Sequence, residues 1–170
     1  MTENHGAVTF KGNPMTLVGE MPKAGDTAPD CTCTGLDMSD VKLSDLKGKK
    51  VLLVSVPSLD TPVCDIEAKR FNEEAGKLGS DVAVVTVSRD LPFAQKRWCG
   101  ANDADNLVVV SDYKYRSFGE AFGLEVKELA ILARAVFAID ADGRIVYEEL
   151  VKEIADQPDY DAALAAVKTA

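Results

Sequence analysis

Val51-Leu52-Leu53-Val54-Ser55-Val56-Pro57-Ser58-Leu59-Asp60-Thr61-Pro62-Val63-Cys64 is the stretch around which the rest of the chain is organised. Val51 to Val56 is an apolar run of strand length bounded by Lys50 and Pro57, the pattern of a buried strand. Beyond it, Cys64, Ala68, Phe71, Ala75 and Leu78 recur at helical spacing, which predicts a helix running to about Gly79. Thr61 suits the N-cap and Pro62 the first helical position. Cys64 then falls in the first turn, where unpaired N–H groups and the helix dipole favour a thiolate, the reactive form of cysteine. The plain alternative is a small apolar residue that opens a core stripe.

The bulk properties narrow the field. A length of 170 residues fits one domain, residues 1–170, with enough chain to bury a core. Apolar residues at 46% and charged residues at 28% are ordinary for a globular protein. A net charge of −9 argues against nucleic acid or an anionic membrane as partner. The N-terminus lacks a basic segment followed by an apolar one, so no secretion signal is expected and the cytoplasm is. The four cysteines, Cys31, Cys33, Cys64 and Cys99, are too few for a stapled scaffold and point to catalysis or metal. A metal is a poor fit. The one histidine is His5, near the terminus, and no Cys-x-x-Cys pair exists. No cofactor is expected.

Along the chain, Val8–Lys11 and Met15–Val18 flank the turn Gly12-Asn13-Pro14 and predict a hairpin within an N-terminal extension, residues 1–20. In Asp30-Cys31-Thr32-Cys33-Thr34 a period of two turns both sulfurs inward; they read as small core residues, the alternative being a redox or metal pair. Val41–Leu46 holds a short strand and a turn, and Asp81–Val87 a strand covered on both faces. A helix opens at Asp90 or Leu91, with Pro92 in its first turn and Cys99-Gly100 at its end. Asn106–Val110 is a third strand, Tyr115–Phe122 a short helix, and Leu124–Leu132 a loop with a helical turn. Ala133–Ile139 and Arg144–Glu149 form a hairpin about Ala141-Asp142-Gly143, and Pro158–Lys168 a final amphipathic helix. Strands alternating with helices, then a hairpin, predict an α/β fold with a mixed sheet flanked by helices.

Arg134 stands out. It is the one charged residue between Leu129 and Ile139, and a guanidinium buried there needs an anion. The alternative is an arginine at a strand start that snorkels to water.

Pro57-x-x-x-Thr61-x-x-Cys64 after a strand resembles the active-site loop of the peroxiredoxins. With Asp90-Leu91-Pro92-Phe93-Ala94-Gln95, Cys99 and Leu132-Ala133-Arg134-Ala135-Val136 in order, the chain is similar to their bacterial thiol peroxidase subfamily. The resemblance implies a thioredoxin-like fold and reduction of hydrogen and organic peroxides by Cys64 through a sulfenic acid. It implies that Thr61 holds peroxide and thiolate together, that Pro57 shields the centre, and that Arg134 faces the sulfur. It makes Cys99 the resolving cysteine of an intramolecular Cys64–Cys99 disulfide, with thioredoxin as reductant and a homodimer as the assembly. Against it stand a thioredoxin-like disulfide oxidoreductase, which would normally carry Cys-x-x-Cys, and a redox sensor that passes oxidation to a partner. Cys64→Ser is expected to abolish peroxide consumption, since serine is not ionised at neutral pH, while Cys31→Ser and Cys33→Ser leave it nearly intact. A coupled peroxide assay checks this, and an equal loss in Cys33→Ser would remove that residue from the core.

Overall fold

The computed structural model describes residues 1–170. Its centre is a seven-stranded mixed sheet in the order β11-β10-β5-β6-β7-β3-β4. The strands are β3 (Thr32–Gly35), β4 (Asp40–Lys42), β5 (Lys50–Ser55), β6 (Val82–Ser88), β7 (Val108–Ser111), β10 (Ala135–Ile139) and β11 (Ile145–Leu150). β5, β6 and β7 run parallel; β10 pairs antiparallel with β5, and β3 antiparallel with β7. A second, four-stranded antiparallel sheet joins β1 (Glu3–Phe10), β2 (Asn13–Val18), β8 (Glu125–Val126) and β9 (Ile131–Leu132). The helices are α1 (Pro62–Ala75), α2 (Pro92–Ala101), α3 (Ser117–Phe122) and α4 (Tyr160–Thr169).

The period of two in β5 splits the core. Val51 and Leu53 join the apolar cluster that holds Phe118, Phe122 and Leu17, on the side of α3 and the small sheet. Leu52 and Val54 join the other, with Ala68 and Phe71 of α1 and Leu164 and Val167 of α4. Both faces are therefore covered, as the unbroken apolar run requires. Cys31 and Cys33 are buried in the first cluster and Cys64 in the second, so the central sheet separates them. Cys31 beside it and burial both push the Cys33 thiol up, which suits a core residue.

Two local expectations change. α1 ends at Ala75, not Gly79: Lys77 and Leu78 bond three residues back, to Glu74 (3.0 Å) and Ala75 (3.2 Å), in a tightened turn. Leu78 still packs against the core. The segment expected as a loop, Leu124–Leu132, instead supplies β8 and β9. β8 pairs with β2 through Leu17 and Val18, so the predicted N-terminal hairpin is extended by distant chain that carries no continuous strand pattern. Gly123 closes α3 with φ +63, and a β-carbon there would lie 2.5 Å from the Glu20 carbonyl carbon. Gly123→Ala is expected to destabilise the protein by about 1–3 kcal/mol, through strain and overpacking. A urea midpoint equal to that of the parent would show that the Glu20 segment yields.

Candidate active site

Strand β5 delivers the loop that begins at buried Pro57, and the loop delivers α1. The first intrahelical bond runs from the Asp65 N–H to the Thr61 carbonyl at 2.9 Å, so Cys64 sits ahead of it among the free N–H groups of the first turn. Thr61 occupies the N-cap in extended conformation, yet its side chain does not cap the helix. Its hydroxyl donates to the Ser58 carbonyl at 2.8 Å and braces the loop. Cys64 itself is 0% exposed.

Arg134 immediately precedes β10, the strand that pairs with β5, and is 1% exposed, which removes the snorkelling alternative. Its three nitrogens are divided among three acceptors. Nη2 donates to Cys64 Sγ at 3.2 Å, Nε to the Ile154 carbonyl at 3.0 Å, and Nη1 to the Glu67 carboxylate. Burial works against the guanidinium charge, but Glu67 and Cys64 more than offset it and hold its pKa above the ordinary value.

Glu67 is the residue that sequence reading passed over. It lies three positions after Cys64 on the same helix face and is 0% exposed, inside the stripe counted as Cys64, Ala68 and Phe71. The signal was present: an acid on an apolar face, opposite in sign to the one arginine of an apolar segment. Burial pushes its carboxyl up to about 7, against the pull of Arg134.

Cys99 lies half-buried on α2, against the same apolar cluster as Cys64. Burial, then the nearby Asp105 charge, push its thiol up. All four cysteines are free. Trp98, just before Cys99, donates through Nε1 to Asp65, just after Cys64, at 2.8 Å. A cavity of about 310 Å³ lies between the Ser58–Asp60 loop and α2, lined by Asp90, Arg97 and Trp98. Another, of about 150 Å³, lies near Val51 and Ile139, at the far end of β5 from Cys64, and contains no cysteine.

A thioredoxin-like sheet whose first crossover helix holds a buried thiol against an arginine defines a redox protein built around one cysteine. The Redoxin family model matches residues 23–164. The chain is 52% identical to the thiol peroxidase of Bacillus subtilis (strain 168) over 161 residues, which is 95% of this chain and 96% of that one. To the thiol peroxidase of Listeria monocytogenes serotype 4b (strain F2365) it is 51% identical over 163 residues, 96% and 98% of the two chains. The crystal structure of a peroxiredoxin-like protein from Aquifex aeolicus matches with a TM-score of 0.90 and 42% identity over 98% of each chain, the N-terminal hairpin included. The chain belongs to the Redoxin family, and within it to the thiol peroxidases.

Removing Arg134 strips Cys64 of its buried cation and leaves Glu67 unpaired. Arg134→Ala is therefore expected to cost about 3–5 kcal/mol of stability. Alkylation of Cys64 at neutral pH should be slower than in the parent, and Arg134→Lys should recover part of the difference, since a point charge lacks the planar fork. An unchanged alkylation profile in Arg134→Ala would make the arginine purely structural.

The raised carboxyl of Glu67 has a fixed sign in stability. The unfolded chain releases this proton near the ordinary 4.5 and the folded chain only near about 7, so the contribution is full below 4.5 and fades as pH rises through about 7. Melting temperatures of the parent and of Glu67→Gln across that window should show the parent losing ground as pH rises; a flat difference would mean that the pair stays ionised throughout.

Proposed function

We propose that the protein is a thioredoxin-dependent peroxidase that reduces hydrogen peroxide and alkyl hydroperoxides, using Cys64 as the attacking thiolate and Cys99 as the resolving thiol. The observation that carries this reading is Cys64 Sγ in the first turn of α1, buried, with Arg134 Nη2 at 3.2 Å. The guanidinium and the free N–H groups of the turn favour the thiolate. They also stand beside the alkoxide that develops as the O–O bond breaks.

The thiolate sulfur attacks one peroxide oxygen. The O–O electron pair leaves with the other oxygen, which takes a proton to become water or an alcohol, and Cys64 becomes a sulfenic acid. The Thr61 hydroxyl, its hydrogen engaged by Ser58, offers its oxygen to the peroxide proton. Pro57, buried at the loop start, keeps water from the centre. Cys99 then attacks the Cys64 sulfur, expelling water and forming the disulfide. A dithiol reductant, thioredoxin, returns both thiols by exchange.

Before that second step the backbone moves. A disulfide needs Cα atoms within roughly 4.4–6.8 Å, and the two cysteines start on separate helices, so the first turn of α1, the end of α2, or both unwind. The raised thiol of Cys99 keeps it from competing for peroxide before that movement. The enzyme acts in the cytoplasm, where free cysteines persist, as part of antioxidant defence. It works as a homodimer, for which exposed Leu91 and Phe93 at the start of α2 supply apolar surface.

One equivalent of hydrogen peroxide is expected to remove two thiols per chain and yield a Cys64–Cys99 peptide pair on mass-spectrometric mapping. In Cys99→Ser, excess peroxide should carry Cys64 on to sulfinic acid. A link from Cys64 to Cys31 or Cys33, or between two chains, would remove Cys99 from its role.

A further inference from the structure

Asp90 joins the two segments that carry the cysteines. It lies between the end of β6 and the start of α2, and its carboxylate accepts three hydrogen bonds. Ser88 Oγ donates at 2.7 Å from its own side, while Ser58 Oγ donates at 2.6 Å and the Leu59 N–H at 2.8 Å from the Cys64 loop.

The anchor side is rigid. The Asp90 N–H donates to Ser88 Oγ (3.3 Å), and the Asp90 carbonyl accepts from Ser111 Oγ (2.5 Å) at the end of β7. Ser88 Oγ also accepts from Nε2 of buried Gln95 (3.0 Å), which donates a second time to the Val110 carbonyl (2.9 Å). The loop side is a relay. Ser58 Oγ accepts from the Asp60 N–H (3.2 Å), and the Ser58 carbonyl accepts from the Thr61 hydroxyl (2.8 Å) and N–H (3.3 Å). The relay ends on the N-cap of the helix whose first turn holds Cys64.

We propose that Asp90 is a positioning residue, the latch that holds the Cys64 loop in its peroxide-reactive form. This rests on the assignment of Cys64 and Cys99 above. Disulfide formation requires the loop to move, and the bonds from Ser58 and Leu59 then have to give way. Bonds to a carboxylate are roughly twice as strong as those between neutral groups, so the charge on Asp90 biases the loop toward the folded, reactive state. A weaker latch leaves Cys64 at Arg134 for less of the time, which slows attack on peroxide. It also presents Cys64 to Cys99 more often, which speeds closure and spares the sulfenic acid from a second peroxide.

Trp98 supplies the readout. It is the only tryptophan, and its indole bonds to Asp65 between the two cysteines. Reduced protein is mixed with hydrogen peroxide in a stopped-flow instrument, and Trp98 fluorescence separates the peroxide-dependent phase from the first-order closing phase. In Asp90→Ala the first phase is expected to slow by at least about tenfold and the second to quicken by at least about threefold, the scale set by loss of charge-assisted bonds. Sulfinic acid on Cys64 at a fixed excess of peroxide falls. Asp90→Asn, which keeps one acceptor, and Ser58→Ala, which removes one of the three bonds to the carboxylate, lie between it and the parent. If both phases slow together, or neither moves, the latch is overturned. Should Asp90→Ala not fold, the same opposed movement is required of Asp90→Asn and Ser58→Ala, and its absence in both overturns the latch. A parent protein that shows no peroxide-dependent phase and keeps its thiols fails differently: the peroxidase assignment falls, and the latch with it.

Discussion

A guanidinium sealed inside an apolar core is the constraint on which this structure turns. Arg134 is held at 1% exposure, and moving such a charge out of water costs several kcal/mol unless anions and acceptors meet it. The fold meets it with Glu67, with the Ile154 carbonyl and with the sulfur of Cys64. Two acceptors come from one turn of α1 and the third from the segment after β11, so a single side chain ties together three parts of the chain. The charge that makes this pocket expensive to form stands 3.2 Å from the sulfur of Cys64.

Glu67 and Cys64 compete for that cation. With Glu67 ionised, Arg134 is neutralised in part; with Glu67 protonated, more of its field falls on the sulfur. Burial, which pushes the Glu67 carboxyl up to about 7, brings that balance close to neutral pH. A carboxylate fixed farther out, such as Asp65 paired with Lys69 and Trp98, stays ionised and acts on geometry instead. Acids placed three and one residues from the same cysteine thus do different work because one is sealed and the other is not.

The central sheet also acts as a partition. Its strands send alternate side chains to opposite faces, and this keeps Cys31 and Cys33 in the cluster with α3 while Cys64 lies with α1 and α4. Cys99, on α2, packs on the Cys64 side. Of the other three cysteines only Cys99 therefore shares a face with Cys64, and exchange with Cys31 or Cys33 would have to cross a layer of packed valine and leucine. Parallel β5, β6 and β7 all end at that site, so the loop after β5 and the loop after β6 leave the sheet side by side. Their closeness lets one carboxylate, Asp90, hold both.

Much of this was legible in order along the chain because its signals are local. An apolar run of strand length, an N-cap with Pro62 behind it, and a helical stripe placed Cys64 at the start of α1. A lone arginine among apolar residues singled out Arg134, and left open whether it was buried against an anion or snorkelled to water. The period of two in Asp30–Thr34 turned Cys31 and Cys33 inward. What the sequence could not carry is anything set by which elements meet. β8 and β9 are two residues each and exist only because β2 pairs with β8 and β8 with β9; propensity over so short a stretch is too weak to compete with tertiary pairing. Glu67 was passed over because its partner stands 67 positions away. Thr61 read as an N-cap and Ser58 drew no reading, and only the crossing of two loops made them part of one hydrogen-bonded relay to Asp90. The sequence by itself determined the class of fold and the place of Cys64 at the start of a helix, since periodicity and capping are properties of neighbours. The tertiary structure decided what the sulfur faces, because charge pairing and burial depend on distance in space.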